Sequence, residues 1–173
     1  MEVYKLLHED HERIYALFSG LEETTEGDIE KRETLIRKLE LEYTVHCEAE
    51  ERYFYPRLLS PADTRELAHV AREEHLETKA LLTELAVDPK GTAAWTAQCA
   101  ALRERVERHF REEEGPMFTA AMKVLSEQDA RSIGERIEAY QSHNPFRAAW
   151  AEAPEGEDAL HPSANTPENA SEK

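Results

Sequence analysis

A pair of helical segments occurs twice in this chain. Three pairs of positions are separated by nearly constant intervals of 63 or 64 residues: His11 and His75, His46 and His109, Glu50 and Glu113. The neighbouring letters repeat as well, because Glu-Asp precedes the first of these histidines and Glu-Glu precedes the third. The repeat indicates an internal duplication of a helical hairpin. The chain is therefore expected to contain four long helices.

Apolar residues recur with a period near 3.6 through most of the first 140 residues, which is typical of amphipathic helices. Short segments of turn and cap residues divide this pattern into helices predicted at residues 2–23, 28–59, 60–87, 92–125 and 126–142. The segments 60–63 and 126–129 both have the signature of a capping box. Short connections favour antiparallel neighbours, so we expect an all-α, up-down-up-down four-helix bundle with a short fifth helix.

The charge of the chain excludes several classes of partner. Its 37 acidic residues outnumber its 21 basic residues, giving a net charge of −16. Such a chain lacks the positive field that binds nucleic acids or anionic lipids. Its apolar runs are shorter than the roughly 20 residues that cross a bilayer, and its N-terminus lacks the apolar stretch of a signal peptide. We expect a cytoplasmic protein that binds neither nucleic acid nor membranes, and interpret Glu51, Glu112 and the acidic outer faces as solvated surface.

The end of the chain differs in composition from the rest. Four of the eight prolines follow Asn144, among Ala, Glu, Ser and Asn. We predict one domain over residues 1–143 and a disordered tail over residues 144–173. Phe146 and Trp150 are the tail residues suited to packing on the bundle or on a partner, and a loosely attached end is the alternative. Cys47 and Cys99 form no CxxC pair, so free thiols in a reducing compartment are expected.

Six polar residues fall on the helix faces that are predicted to point inward. They are His11, His46, Glu50, His75, His109 and Glu113. Residues four apart share a helix face, so each HxxxE pair directs two donor groups the same way. For one histidine alone, an ordinary buried residue is the simpler interpretation. Six such residues together favour a metal, because buried histidine and glutamate side chains without partners are costly.

The donor types indicate which metal would bind. Imidazole and carboxylate without thiolate suit iron or manganese, and zinc is possible. Six ligands divide naturally into two histidines per ion and two bridging glutamates, which predicts a dinuclear centre. Tyr15 and Tyr43 lie near the ligand face, either to donate hydrogen bonds to a bound ligand or simply to pack. Pro56 and the pair Gly115-Pro116 follow the HxxxE pairs and predict distortion of the second and fourth helices.

In order and spacing, these residues resemble the hemerythrin-like (HHE cation-binding) family. The matching segments, which span about residues 4–125, are Glu9-Asp10-His11, His46 to Pro56, Glu73-Glu74-His75 and His109 to Glu114. The resemblance implies a four-helix bundle around a non-heme di-iron centre, with two irons per chain. It also implies that the four histidines are terminal ligands and that Glu50 and Glu113 are bridging carboxylates.

The sequence departs from the oxygen-carrying hemerythrins at two places. Those proteins have a fifth histidine in an HxxxH pair on the third helix, whereas Ala71 and Lys79 flank the third-helix histidine here. They also use a carboxylate five residues after the last motif histidine, where this chain has Glu114 beside Glu113. We take Glu113 as the ligand and Glu114 as the alternative. The missing histidine implies open or water-filled positions on at least one iron, and His8 is a candidate replacement.

Three functions agree with this pattern. The first is a protein that binds or senses a small diatomic ligand, oxygen or nitric oxide, or iron itself. The second is a small redox enzyme that reduces oxygen, peroxide or nitric oxide. The third is a metal-stabilised interaction module, whose protein partner the sequence does not identify.

Overall fold

The structure is a computed structural model and describes residues 2–144. Long helices form nearly all of this part of the chain. In chain order the elements are α1 (Val3–Glu22), α2 (Ile29–Ala49), a π-helical turn π1 (Glu50–Phe54), α3 (Tyr55–Leu58), α4 (Ala62–Val87), α5 (Ala93–Glu112), a second π-helical turn π2 (Glu113–Met117), α6 (Phe118–Val124) and α7 (Glu127–Ser142). Apart from Asn144, the predicted tail lies outside the described residues, together with Phe146 and Trp150. The predicted domain boundary therefore stays a prediction.

The helices join into four long arms that pack side by side. The first and third arms are α1 and α4, the second is α2 with π1 and α3, and the fourth is α5 with π2 and α6. In the bundle α1 packs on α2, α2 on α4 and α4 on α5, and α5 closes the bundle against α1. The additional helix α7 packs against α1 and α2. The predicted all-α four-helix bundle with a fifth helix is confirmed.

The two predicted capping boxes have different outcomes. Ser126 accepts from the backbone N–H of Asp129, and the Asp129 carboxylate accepts from the backbone N–H of Ser126, so the box before α7 is confirmed. The box at Ser60 is wrong, because α4 begins one residue later with extended Pro61 at its cap and no side-chain cap bond. The turn is held from inside the helix, where the Thr64 hydroxyl donates to the carbonyl oxygen of residue 58 at 2.6 Å.

Both arms that carry an HxxxE pair change from α to π geometry at the glutamate. The two π turns begin at Glu50 and Glu113 and so repeat the 63-residue interval of the sequence. Pro116 lies inside the second turn, and Pro56 is the second residue after the end of the first. Proline lacks the N–H that an α-helix needs at these positions, so the distortion predicted from these prolines takes the form of a π turn.

The apolar core is divided into two clusters along the bundle. One cluster contains Phe18, Leu39 and Trp95, and the other contains Phe54 and Phe118. In each arm the change from one cluster to the other falls at the predicted ligand positions. A thin polar layer therefore crosses a core that is otherwise apolar. Within residues 2–144 no helix combines the length and hydropathy that crossing a membrane requires.

Candidate metal centre

Six buried side chains from the four arms meet in the polar layer. They are His11 from α1, His46 from α2, Glu50 from π1, His75 from α4, His109 from α5 and Glu113 from π2. None of the six is more than 2% exposed. These are the residues that the sequence analysis singled out, and the structure brings all of them together.

The four histidines form two pairs. The ring centroids of His11 and His46 are 4.9 Å apart, and those of His75 and His109 are 4.8 Å apart. In the second pair the two Nε2 atoms face each other at 3.0 Å. The second nitrogen of each ring points away from the layer, so every histidine presents Nε2 to the interior.

Each glutamate lies between two histidines from different pairs. The Oε2 atom of Glu50 is 3.3 Å from Nε2 of His46 and 3.4 Å from Nε2 of His75. Glu113 has the same relation to the remaining two histidines, with Oε2 at 3.3 and 3.7 Å from their Nε2 atoms. Each carboxylate thus contacts one member of each histidine pair.

Several polar atoms of this layer have no hydrogen-bond partner among the described residues. They are His11 Nε2, His46 Nε2, Glu50 Oε1 and Glu113 Oε2. Ligand atoms of the same four residues all lie within 4.8 Å of one another. A buried polar group left without a partner costs about 1–3 kcal/mol, and more when it is charged. A cation would supply the partner to all of them, so the residues present fit a metal ion.

In each of the four histidines of the layer, a carboxylate contacts Nδ1, the outer nitrogen that points away from the layer. The distances between Nδ1 and the carboxylate oxygen are 2.7 Å for His11 with Glu114, 3.5 Å for His46 with Asp10, 3.1 Å for His75 with Glu51 and 2.8 Å for His109 with Glu74. A carboxylate that accepts from Nδ1–H fixes the tautomer of the imidazole. The Nε2 lone pair is then free to point into the layer, which is the state that binds a metal.

These four outer carboxylates link the arms in a closed ring. Each one is adjacent in sequence to a residue of the inner cluster and reaches a histidine of the next arm. Asp10 of α1 reaches α2, Glu51 of π1 reaches α4, Glu74 of α4 reaches α5, and Glu114 of π2 reaches α1. The interpretation of Glu51 as solvated surface is therefore corrected, because it bonds to a buried histidine on another arm.

Burial and the neighbouring charges together shift the pKa values in the layer. Burial and the neighbouring Glu113 raise the pKa of Glu50 well above its usual range. Burial also opposes the charge of Glu113, but the histidines beside it outweigh that effect and lower the pKa of Glu113. Burial lowers the pKa of His75 to about 4 and holds the pKa of His46 well below its usual range. These two imidazoles are thus neutral at pH 7, with lone pairs available to a cation.

Tyr55 is a residue of the layer that the sequence analysis missed. Its hydroxyl donates to Oε1 of Glu113 at 2.5 Å and lies 3.2 Å from Oε2 of Glu50 and 3.3 Å from Nε2 of His75. In a regular α-helix, residues five apart differ by about 140° around the axis, which would turn Tyr55 away from Glu50. The π turn between them places both on one face. Pro56 was the signal in the sequence, because it marks where α geometry fails.

Other candidates from the sequence lie outside the inner cluster. His8 is 54% exposed and contacts Glu114 at 2.9 Å, so the geometry does not support it as a replacement for the missing histidine. Glu114 holds an outer nitrogen, and it is Glu113 that faces inward. Tyr15 packs edge-on against a phenylalanine ring at 5.5 Å, and buried Tyr43 lies with its ring 6.1 Å from that of a layer histidine.

Asp10 differs from the other outer carboxylates because the fifth helix also holds it. It is 3% exposed, pairs with Arg13 on its own helix and accepts from Nε2 of Gln141 in α7 at 2.5 Å. The other three outer carboxylates have side chains that are 16–33% exposed. Helix α7 is therefore connected to His46 through one buried side chain.

Asp10→Asn is expected to weaken metal binding roughly tenfold. Mutation of a residue that hydrogen-bonds a metal ligand lowers metal affinity about 10- to 100-fold, and we expect the smaller loss because the contact between Asp10 and His46 is the longest of the four. The measurement is competition for the metal with a chelator. The adjacent Glu9, whose side chain is 42% exposed, lies outside the layer, so Glu9→Gln is the matched control with expected wild-type affinity. Equal affinities of both variants would show that Asp10 does not position His46.

The fold and the layer together define a class of protein, an all-helical bundle with a buried histidine and carboxylate cation site. The sequence model of the hemerythrin HHE cation binding domain matches residues 2–121. The chain belongs to this family.

Two similar proteins differ in how much of their own length is matched. The crystal structure of a hemerythrin HHE cation binding domain-containing protein from Mycobacterium kansasii is 25% identical, with a TM-score of 0.71, over 87% of this chain and 91% of that chain. A curated protein of Nostoc sp. named DNA nickase is 27% identical over 145 residues, which are 82% of this chain. The match spans only 40% of the Nostoc protein.

Proposed function

We propose that this chain is a non-heme di-iron protein that binds or senses oxygen, nitric oxide or iron at the polar layer. The observation that carries the proposal is the position of the two glutamates, each of which contacts one histidine from each pair. This arrangement suits two ions, each held by a histidine pair, with both carboxylates between them. Iron suits imidazole and carboxylate donors, and manganese or zinc are the alternatives.

The protein's own residues have three tasks in this proposal. The outer carboxylates keep Nδ1 protonated and so direct the Nε2 lone pairs inward. The apolar clusters on both sides of the layer exclude bulk water. The Tyr55 hydroxyl holds a proton between the two glutamates. When bound, ferrous iron supplies electrons and open positions for a small ligand.

A second candidate function, a small redox enzyme, is favoured by Tyr55. The hydroxyl lies within 3.3 Å of three residues of the inner cluster, in reach of any ion that they hold. A phenolate oxygen is a hard anionic donor, which stabilises ferric over ferrous iron. A centre biased in that way favours reduction of oxygen, peroxide or nitric oxide over reversible oxygen binding.

Tyr55→Phe is expected to keep the iron content of the wild type and to change its visible spectrum. A phenylalanine fits the corresponding position of the second half, since Phe118 follows Tyr55 by 63 residues and is buried. If the phenol oxygen binds ferric iron, the wild type has a visible absorption band that the variant lacks. Identical spectra at equal iron content would exclude this role for Tyr55.

Nucleic acid is not among the partners that we propose. The name of the Nostoc protein belongs to a longer chain, and a net charge of −16 opposes contact with phosphates. A cytoplasmic location is likewise our proposal. It is supported by Cys47 and Cys99, which are both buried and free.

Metal analysis of anaerobically purified protein, with ultraviolet-visible spectra before and after air, tests the proposal. About two irons per chain and new near-ultraviolet bands in air would support a di-iron centre. A spectrum that reverts when oxygen is removed indicates binding or sensing, whereas many turnovers with an added reductant indicate an enzyme. Less than one metal per chain after reconstitution, or zinc alone, would contradict the proposal.

A further inference from the structure

A cavity of about 250 Å³ leads from the surface to the candidate metal centre. It lies between α4 and the fourth arm, and its lining residues are Glu66, Leu67, Val70, Ala71, Glu74, His109, Glu112, Glu113 and Met117. The exposure of these residues shows which end of the cavity is open to solvent. At the inner end His109 and Glu113 are 1% exposed, whereas at the mouth Val70 is 40% exposed and Glu66 and Glu112 are also exposed.

The charge of this cavity has one sign. Four of its lining residues are glutamates, and in the part of the chain that the structure describes none of the lining residues is Lys or Arg. Arg108 touches Glu74 at 3.9 Å but is not part of the lining. A cleft lined by one sign of charge raises the local concentration of the opposite ion. This cleft attracts cations and repels anions.

The inner end of the cavity carries a buried carboxylate oxygen that is able to accept a cation. Glu113 is 1% exposed, and its Oε2 atom makes no hydrogen bond with the described residues. Glu74, 16% exposed, stands between the mouth and this atom and contacts His109 at 2.8 Å. The walls between are formed by Leu67, Ala71 and Met117, which offer no oxygen donor in their side chains. Carboxylates thus mark the mouth, the middle and the end of the cavity.

We propose that this cavity is the route by which a divalent cation, ferrous iron, reaches the metal centre. Glu66 and Glu112 concentrate the hydrated ion at the mouth, and Glu74 passes it inward. Glu113 is the first inner residue to receive it. This inference rests on the proposed function, because it assumes that the polar layer takes up iron.

The rate of iron uptake by the full-length apoprotein tests the route. Ferrous iron is added anaerobically at low ionic strength, samples are quenched with a chelator at intervals, and protein-bound iron is measured. We expect the double variant E66Q/E112Q to take up iron about tenfold more slowly than the wild type and to reach the same final iron content. The difference should shrink in high salt, which screens the exposed carboxylates.

Two further variants make the test specific. E26Q/E135Q removes the same charge from exposed positions outside the cavity lining and should load at the wild-type rate. Val70→Trp places a large side chain at the exposed mouth and should slow uptake without changing charge.

Each outcome has a separate meaning. If the wild type loads and the variants E66Q/E112Q and Val70→Trp load equally fast, the route is wrong while the proposed function stands. If E26Q/E135Q is slowed as much as E66Q/E112Q, the effect comes from net charge and the route is also wrong. A wild type that takes up no iron would contradict the proposed function itself.

Discussion

Removal of the metal is expected to lower the melting temperature of the full chain by roughly 10 °C. Without a cation, buried imidazole and carboxylate atoms of the polar layer have no hydrogen-bond partner among the described residues. Because the cation binds the folded chain and not the unfolded chain, the free energy of binding adds to the free energy of unfolding. At a free metal concentration 1,000 times the dissociation constant, that addition is about 4 kcal/mol. For a domain of this size each kcal/mol shifts the melting temperature by about 2–4 °C.

His46→Ala should abolish this difference between the metal-loaded and metal-free forms. The substitution removes a candidate ligand that contacts Glu50 and belongs to one of the two histidine pairs. His69→Ala is the matched control, because His69 also belongs to an HxxxE pattern but is exposed and is not one of the six residues of the inner cluster. Calorimetry with and without metal, together with metal analysis, checks both variants. Wild-type metal content and melting temperature in His46→Ala would overturn the assignment of this residue.

Metal affinity is expected to fall roughly 100-fold between pH 7 and pH 5. In the metal-free fold, burial and Glu113 raise the pKa of Glu50. Burial opposes the charge of His11, but Glu113 and Glu114 outweigh it and raise the pKa of His11. A cation binds only the deprotonated forms, so binding releases protons and is weakened as the pH falls. One released proton corresponds to about a tenfold change in affinity per pH unit.

Calorimetric titration in two buffers of different ionisation enthalpy counts the protons released. At least one proton per chain is expected at pH 7. Glu50→Gln mimics the protonated carboxyl, so this variant should bind more weakly and release fewer protons. Binding that is independent of pH and releases no proton would show that the polar layer is already deprotonated in the free protein.

The sequence was sufficient for the bundle and for the inner cluster because both depend on regular periods. The inward faces were predicted from the rotation of about 100° per residue in a regular α-helix. In the second and fourth arms this rotation holds up to Glu50 and Glu113. Beyond those residues the π turns change the period, which is why Tyr55 was not recognised from the sequence as a residue of the layer.

The outer carboxylates were harder to predict for a different reason. Each acts on a neighbouring arm, so its partner depends on how the arms are rotated against one another, and no pattern within one helix contains that information. The acidic neighbours of four inner residues are visible in the sequence beside His11, Glu50, His75 and Glu113, but 37 acidic residues make such neighbours common. A charged residue on an outer face is more often solvated than bonded to a buried histidine.

The ring of outer carboxylates also bears on the ancestry of the protein. Asp10 and Glu74 act within their own hairpins, and Glu51 and Glu114 act between the hairpins, so the contacts obey an approximate twofold axis. An ancestral single hairpin could have formed the same ring as a homodimer, before gene duplication joined the two copies. Among the described residues, the Tyr55 hydroxyl and the bond from α7 to Asp10 have no equivalent in the other half, where Phe118 stands at the position that corresponds to Tyr55. The two halves have diverged at these points, so the two cation positions of the proposed di-iron centre would be chemically unequal.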